Sequence, residues 1–147
     1  MIKIDYPPYH PKIKNEAGKE FIFDGFRKKW ILLTPEEWVR QNFLQYLVIT
    51  LNYPASLIAI EKEIYLGEVK KRFDIVVYDN NTKPFIVIEC KEMNVILSEK
   101  TLHQALRYNT NMQARFIIIT NGSFCFAFEK INNEFVEINV LPAFKKF

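Results

Sequence analysis

The sequence predicts a single α/β or α+β domain in which a mixed β-sheet lies between helices. The chain has 147 residues, of which 49% are apolar, and this suits one compact domain with its own core. A well-marked helix precedes three strand-like runs, and a second helix separates the third run from another apolar strand. A helix between two apolar strands implies a crossover connection and is compatible with parallel pairing.

The first part of the chain is expected to be extended. Residues 1–19 hold three of the seven prolines, so we expect an extended N-terminal segment ahead of a single domain over residues 20–147. Asp24 and Gly25 form a turn signal between the apolar-rich runs "EFIF" and "WILL", which predicts a hairpin. No signal peptide is recognisable at the start, and the apolar runs are too short to cross a bilayer.

The clearest helix start lies in "LTPEEWVRQNFLQYL". Thr34 can cap this helix, Pro35 suits its first position, and Glu37 stands three residues after the cap, as in a capping box. Apolar residues cover much of the helix, which predicts that it is well buried. We expect it to end before Pro54.

The remaining elements follow from alternating apolar runs and turn signals. "SLIAIEKEIYLG", "KRFDIVVYD" and "PFIVIECK" are typical of strands, and "NNTK" is a tight connection between the last two. Ser98 can cap a second helix in "SEKTLHQALRYN", and "ARFIIITNG" indicates a buried strand that ends at an Asn-Gly turn. "SFCFAFEK" and "EFVEINVL" predict a C-terminal hairpin around Asn132 and Asn133.

Composition narrows the functional classes. Cys90 and Cys125 have no metal-type spacing, and two isolated cysteines favour a reducing cytoplasm over a disulfide framework. The net charge of +3 is compatible with a polyanionic partner, although each basic run is more simply explained as a solvated turn. The chain has four glycines and contains no Gly-rich phosphate loop, which argues against an ATPase motor.

Three charged residues stand at the ends of two strands that are otherwise apolar. Side chains alternate along a strand, so Asp74 is expected to share a face with Val76, and Glu89 and Lys91 to share a face with Val87. If the two strands form an antiparallel hairpin, Asp74 lies opposite Glu89. Two carboxylates and an ammonium group then converge at one end of the sheet.

A divalent cation would explain why these charges are tolerated. Two carboxylates a few ångströms apart repel each other and raise one another's pKa, and a bound cation removes that cost. Hard oxygen ligands suit Mg²⁺ or Mn²⁺, which can activate a water and neutralise a phosphate under attack. Lys91 would position that water or stabilise the developing charge. A simple salt bridge, from Glu89 to Lys91 or Arg72, is the alternative.

Four segments carry a resemblance to a known family. "RFDIVVYD" and "PFIVIECK" resemble the core motif of the PD-(D/E)xK nuclease superfamily, with Phe73 in place of the first proline. Together with "LTPEEWVRQ" and "HQALRYN", they resemble the N-terminal nuclease domain of type I restriction enzyme motor subunits and its small stand-alone relatives. The resemblance runs from about Phe21 to Phe128. It implies a restriction-endonuclease-like core, a mixed β-sheet flanked by helices, with a C-terminal β-hairpin.

The resemblance also implies roles for individual residues. Asp74 and Glu89 would be the metal ligands, together with the backbone carbonyl of Cys90, and Lys91 would assist the attacking water. Glu36 is the better match to a glutamate that many members carry on the first core helix.

One face of the second helix would look toward the catalytic site or the DNA backbone, with Gln104 and Tyr108 as further candidate catalytic residues, and the basic residues would face DNA. Gln104 and Tyr108 match a Gln-x-x-x-Tyr motif found in several branches of the superfamily, and their spacing places them on one helix face. An ordinary amphipathic helix is the alternative for this pair. We expect Lys71, Arg72 and Arg107 to contact nucleic-acid phosphates.

The expected function is that of a Mg²⁺- or Mn²⁺-dependent endonuclease that hydrolyses phosphodiester bonds in DNA. Its partners would be DNA and subunits of a restriction system, with no membrane; the oligomeric state stays open, a homodimer being one option. One alternative is a non-catalytic nucleic-acid-binding module on the same fold that needs a partner subunit. Another is a structural or protein-interaction domain with an ion-paired strand end.

Overall fold

The computed structural model describes residues 1–108 and 113–146 and confirms the mixed α+β class. Neither of its α-helices is long and apolar enough to cross a membrane within these ranges. The helices are α1 (Pro35–Gln45), continued by a π-helical turn (Tyr46–Thr50), and α2 (Glu99–Tyr108), with a 3-10 turn at Ala55–Leu57. The strands are β1 (Ile2–Lys3), β2 (Ile13–Glu16), β3 (Lys19–Asp24), β4 (Lys29–Leu32), β5 (Ile58–Leu66), β6 (Val69–Tyr78), β7 (Pro84–Cys90), β8 (Phe116–Thr120), β9 (Phe124–Ile131) and β10 (Glu134–Ile138).

The main sheet has seven strands in the order β1-β9-β8-β7-β6-β5, with β10 beside β9. β6 pairs antiparallel with β5 and β7, which confirms the hairpin around "NNTK". β7 and β8 run parallel, as a helical crossover between them predicts. β9 and β10 form the expected C-terminal hairpin.

Two hydrophobic clusters pack against the main sheet. Val39 and Phe43 of α1 pack in one cluster with Ile75 of β6 and Ile88 of β7. The other cluster brings residues of the same strands together with α2; its buried members are Phe73, Val76, Val87, Leu102, Ala114, Ile117, Ile119 and Phe128. Neighbouring residues of β7 belong to different clusters, so α1 and α2 cover opposite faces of the sheet.

The N-terminal segment is extended and contributes strands to both sheets. β1 joins the main sheet, where Ile2 lies opposite Cys125. β2, β3 and β4 form a separate antiparallel sheet of three strands. Asp24 ends β3 opposite Lys29 of β4, and Gly25 follows it in the turn, which confirms the predicted hairpin.

The start of α1 confirms one expectation and corrects another. Thr34 is the cap, because its Oγ1 accepts a hydrogen bond from the Glu37 backbone N–H at 3.1 Å. The capping-box interpretation of the Glu37 side chain is wrong. Its carboxylate accepts hydrogen bonds from Arg27, Arg40 and Gln41, because burial beside two guanidinium groups outweighs a bond to the helix start.

A glycine lets α1 lie close to the β8–β9 turn. Gly122 has a φ of +95°, which favours glycine, and a Cβ added there would meet Val39 Cγ2 at 3.1 Å. The Asn-Gly turn predicted from the sequence therefore also helps to fix α1 on the sheet.

We predict that Thr34→Ala lowers the free energy of unfolding by about 1 kcal/mol, because the Glu37 N–H loses its capping acceptor. Urea denaturation checks this. Thr34→Ser is the matched control and should retain most of the stability, since it keeps the hydroxyl. Equal losses in both variants would show that the methyl group, and not the cap, matters.

Candidate active site

Asp74 lies where β6 departs from regular alternation. Phe73 and Val76 belong to the same core cluster although they are three residues apart, so the alternation breaks between them. Opposite this point, Glu61 has a φ of +53°, and the described β5–β6 ladder leaves Glu61 and Asp74 unpaired. The expectation that Asp74 shares a face with Val76 is therefore wrong. The irregularity lets its carboxylate reach Arg40 on α1.

Both carboxylate oxygens of Asp74 accept hydrogen bonds. Oδ1 accepts from Arg40 Nη2 at 2.9 Å, and Oδ2 accepts from the backbone N–H of Cys90 at 2.7 Å. Ile75 lies opposite Ile88, so Asp74 stands beside the end of β7, as the predicted hairpin requires. Burial raises the pKa of the Cys90 thiol well above its usual range, and the Asp74 charge raises it further.

Glu89 pairs with a cation other than the two considered from the sequence. Its Oε1 accepts a hydrogen bond from Lys71 Nζ at 2.5 Å. The same Nζ lies 4.9 Å from the ring centroid of Phe73, which belongs to the cluster beneath α2. Asp74 lies within β6 and not at its end as expected, because β6 begins at Val69. The two carboxylates have different partners, Asp74 an arginine of α1 and Glu89 a lysine of β6.

Glu36 lies in the electrostatic field of both Asp74 and Lys91. The backbone N–H of Lys91 donates to Thr120 O at 2.8 Å, which fixes the chain just after β7. Within residues 1–108 and 113–146, the Lys91 ammonium makes no hydrogen bond or ion pair. Burial and then the Asp74 charge raise the pKa of Glu36, while Arg40 and Lys91 oppose this rise. The charge of Glu36 therefore depends on residues of both β6 and the chain after β7.

Arg40 joins several carboxylates beneath this site. Its side chain is only 7% exposed. Nη1 donates to Glu37 Oε1 at 2.9 Å and to Glu61 Oε1 at 3.4 Å, and Nη2 lies 3.8 Å from Glu36 Oε1. Burial lowers the pKa of Arg40, but Glu37 and Asp74 outweigh that effect and raise it, so the guanidinium stays charged.

Arg27 extends the same network to the small sheet. Its guanidinium binds Asp24 at 2.5 Å, Glu37 at 3.0 Å and Glu61 at 3.6 Å. Asp24 is fully buried at the end of β3 and also accepts a hydrogen bond from Gln41 at 3.0 Å. Burial raises the pKa of Asp24, but hydrogen bonds from Arg27 and Gln41 outweigh it, and the pKa lies below its ordinary value.

Carboxylate oxygens, which are the ligands that a hard divalent cation prefers, are concentrated in this region. Five carboxylates surround two guanidinium groups, which leaves an excess of negative charge; they are Asp24, Glu36, Glu37, Glu61 and Asp74. Among the described residues, no group of three His, Cys, Asp or Glu side chains is close enough to hold a metal ion. A cation bound by Asp74 and Glu89 would therefore have to replace Arg40 or Lys71 as their partner.

The residues implied for DNA contact are spread over two regions. Gln104 and Arg107 are exposed on α2, and Arg107 Nε donates to His103 O at 3.4 Å within the helix. The Tyr108 side chain lies outside the part of the chain that the structure describes, so the Gln-x-x-x-Tyr pair stays a prediction. Arg72 is exposed and lies 3.5 Å from Glu63. The Lys71 side chain is less exposed than that of Arg72 and donates a hydrogen bond to Glu89.

Sequence reasoning missed Arg40 and Gln41, although the helix carried a signal for both. Arg40, Gln41 and Leu44 stand at helical spacing on one face of α1, and Leu44 is fully buried. Polar residues on the buried face of a helix need buried partners, and Glu37 stands one turn before them. Asp24 and Arg27, which are the partners of Gln41 and Glu37, are distant from them in sequence and carry no such signal.

We predict that Arg40→Leu lowers the free energy of unfolding at pH 7 by about 3–5 kcal/mol, because it leaves Asp74 without its cation and Glu37 with Arg27 alone. Urea denaturation at pH 7 measures the loss. Arg115→Leu is the control, since it removes the exposed pair with Glu129 and should cost at most about 1 kcal/mol. Similar losses for both variants would contradict the central role of Arg40.

We predict that Glu36→Gln stabilises the protein at pH 7 and not at about pH 4, where the carboxyl group is largely protonated. The raised pKa of Glu36 means that its ionisation opposes folding above its usual pKa of 4.5. Thermal unfolding at the two pH values checks this. Glu63→Gln is a control of opposite sign, because Lys70 and then Arg72 lower the pKa of Glu63. That variant should lose stability at pH 7, and a gain there would contradict this account.

The chain matches a known protein family over most of its length. The family model described as Type I restriction enzyme R protein N terminus (HSDR_N) covers residues 35–142. The chain therefore belongs to this family, which confirms the resemblance inferred from its motifs. The match begins at the first residue of α1 and excludes the three-stranded sheet β2–β4. No curated protein matches the chain.

Proposed function

We propose that this member of the type I restriction enzyme R protein N-terminus family is a Mg²⁺-dependent DNA endonuclease of the PD-(D/E)xK type. One observation carries the proposal. Asp74, within β6, lies beside the end of β7, where Glu89 and Lys91 stand, and all three residues fall within the matched range. A restriction enzyme acts on DNA, so the family supports a nuclease-like role, with DNA as substrate and restriction-system subunits as partners.

Each residue would have a distinct role in hydrolysis. Asp74, Glu89 and the Cys90 carbonyl would hold Mg²⁺, or Mn²⁺ in its place. Mg²⁺ bound there would supply an activated water and offset the charge on the phosphate. The Lys91 ammonium, which has no ion-pair partner among the described residues, would orient the attacking water or stabilise the negative charge that develops.

The cations that now neutralise the carboxylates could then contact the substrate. Lys71 pairs with Glu89 and borders the exposed Arg72 on β6. If Mg²⁺ replaces Lys71 beside Glu89, the lysine side chain could turn toward a phosphate, and Arg72 can bind one from its exposed position. Gln104 and Arg107 would contact the backbone from α2. DNA binding and metal binding would therefore support each other.

The ion pairs also favour a second candidate, a non-catalytic nucleic-acid-binding module. Arg40 and Lys71 satisfy Asp74 and Glu89 without a metal. A site that is already neutral does not need Mg²⁺ for stability, and its exposed basic residues can still bind phosphates. This candidate predicts salt-sensitive DNA binding without cleavage.

We predict that Lys91→Ala reduces Mg²⁺-dependent cleavage of plasmid DNA by at least about 100-fold, because the variant loses the cation that stabilises the transition state. Gel analysis of nicked and linear DNA measures the rate, and EDTA should abolish it. Lys83→Ala is the matched control, since Lys83 is exposed in the turn at the opposite end of β7 and should leave the rate unchanged.

Calorimetry with Mg²⁺ or Mn²⁺ alone separates the two candidates without any choice of substrate. Binding to the wild type and its loss in Glu89→Gln support the nuclease. DNA binding in the absence of metal binding and of cleavage, in Mg²⁺ and in Mn²⁺, would overturn the nuclease proposal and leave the binding module.

A further inference from the structure

The small sheet β2–β4 presents an outer face that none of the roles above uses. Its inner face is buried, because Ile22 and Asp24 of β3 have no exposed surface. The strand register places Phe21 between Lys14 and Leu32, and Phe23 opposite Trp30, on the outer face. The side chains of this outer face are Lys12, Lys14, Glu16, Lys19, Phe21, Phe23, Trp30 and Leu32.

Aromatic rings and lysines are interleaved on this outer face. Trp30 is 38% exposed, and its ring centroid lies 5.4 Å from that of Phe23 in an edge-to-face arrangement. Lys14 Nζ lies 4.6 Å from the Trp30 centroid and 6.0 Å from that of Phe21. A cation already lies over the indole, so the ring is accessible to a ligand that can displace a flexible lysine chain.

We propose that this outer face binds single-stranded DNA by stacking unpaired bases on Trp30 and its neighbouring rings. Every base has a π-face, and exposed aromatic side chains on a sheet are the surface on which bases stack. Three lysines against one glutamate supply charge that is complementary to phosphates. When a base takes the place of the Lys14 ammonium over Trp30, the lysine remains close enough to pair with a phosphate.

The lysines favour nucleic acid over a protein partner. Lys14 Nζ lies 3.2 Å from Glu16 Oε2, so one of the lysines already has a counter-charge. An apolar protein surface could also cover Trp30 and Leu32, but it would have to desolvate this ion pair and would offer no counter-charge to Lys12 and Lys19, which is costly. Phosphates neutralise the same ammonium groups. The positive charge of the outer face therefore favours a polyanion, and its aromatic rings favour flat groups that can stack. Unpaired DNA has both features.

The outer face is attached to the candidate active site through buried ion pairs. Asp24 ends β3 and binds Arg27, which binds Glu37. Glu37 binds Arg40, which in turn binds Asp74. A single strand of DNA on the outer face would therefore be bound by a sheet that is joined to the strands of the candidate active site. The inference goes beyond the proposed nuclease, since stacking needs neither a metal nor cleavage.

Fluorescence in EDTA tests the proposal with an oligothymidylate of about 15 nucleotides. A Trp38→Phe background leaves Trp30 as the single tryptophan, and we expect the oligonucleotide to quench it. Anisotropy of a labelled oligonucleotide then measures affinity. Trp30→Ala should weaken binding about tenfold or more, Trp30→Leu should weaken it similarly, and Trp30→Phe should retain most of it. Phe124→Ala is the control, because Phe124 is an exposed aromatic residue, at 37%, on β9.

Clear outcomes would overturn the proposal. Unchanged affinity in Trp30→Ala, or tighter binding to a duplex of the same length, would exclude base stacking. Full affinity in Trp30→Leu would show that apolar area alone suffices, as a protein-docking face requires. Lys83→Ala, in the exposed turn before β7, should bind the oligonucleotide as the wild type does. If the oligonucleotide stacks on Trp30 but the protein cleaves no DNA, the nuclease proposal alone is refuted. If the protein cleaves DNA but Trp30 variants bind the oligonucleotide normally, the outer-face site alone is refuted.

Discussion

The ion pair between Arg40 and Asp74 is the interaction on which the arrangement of this domain depends. It joins α1 to the irregular point of β6, and through Glu37 it reaches Arg27 and the small sheet. Removing either guanidinium group would leave buried carboxylates uncompensated, which costs more than the pair itself contributes. The network therefore constrains where each element can lie, and it supplies specificity of arrangement more than net stability.

The same constraint shapes the chemistry available at the strand ends. Asp74 and Glu89 each have a cation from the chain, so the folded protein does not carry unbalanced charge at either position. A ligand cation has to compete with an arginine that is held rigidly and with a lysine on a flexible chain. The lysine is the easier one to displace, because its ammonium can reach solvent by rotation of its own side chain.

Local signals explain what could be predicted from the sequence. The cap at Thr34, the hairpins and the parallel pair across α2 depend on neighbouring residues or on the crossover rule, and all were found. The pairing of β6 with β7 brought Asp74 to the end of β7 as expected. The broken alternation at Asp74 and the partners of Glu37 could not be predicted, because they depend on contacts with Arg40 and Arg27 that form only in the folded chain.

The pairing of β1 with β9 has a consequence for biosynthesis. Ile2 lies opposite Cys125, so β1 leaves the ribosome well before its strand partner β9 has been made. Until then its backbone donors and acceptors are open to wrong pairing. The three prolines between β1 and β2 cannot donate backbone hydrogen bonds. This segment is therefore a poor template for aggregation before β9 has been made.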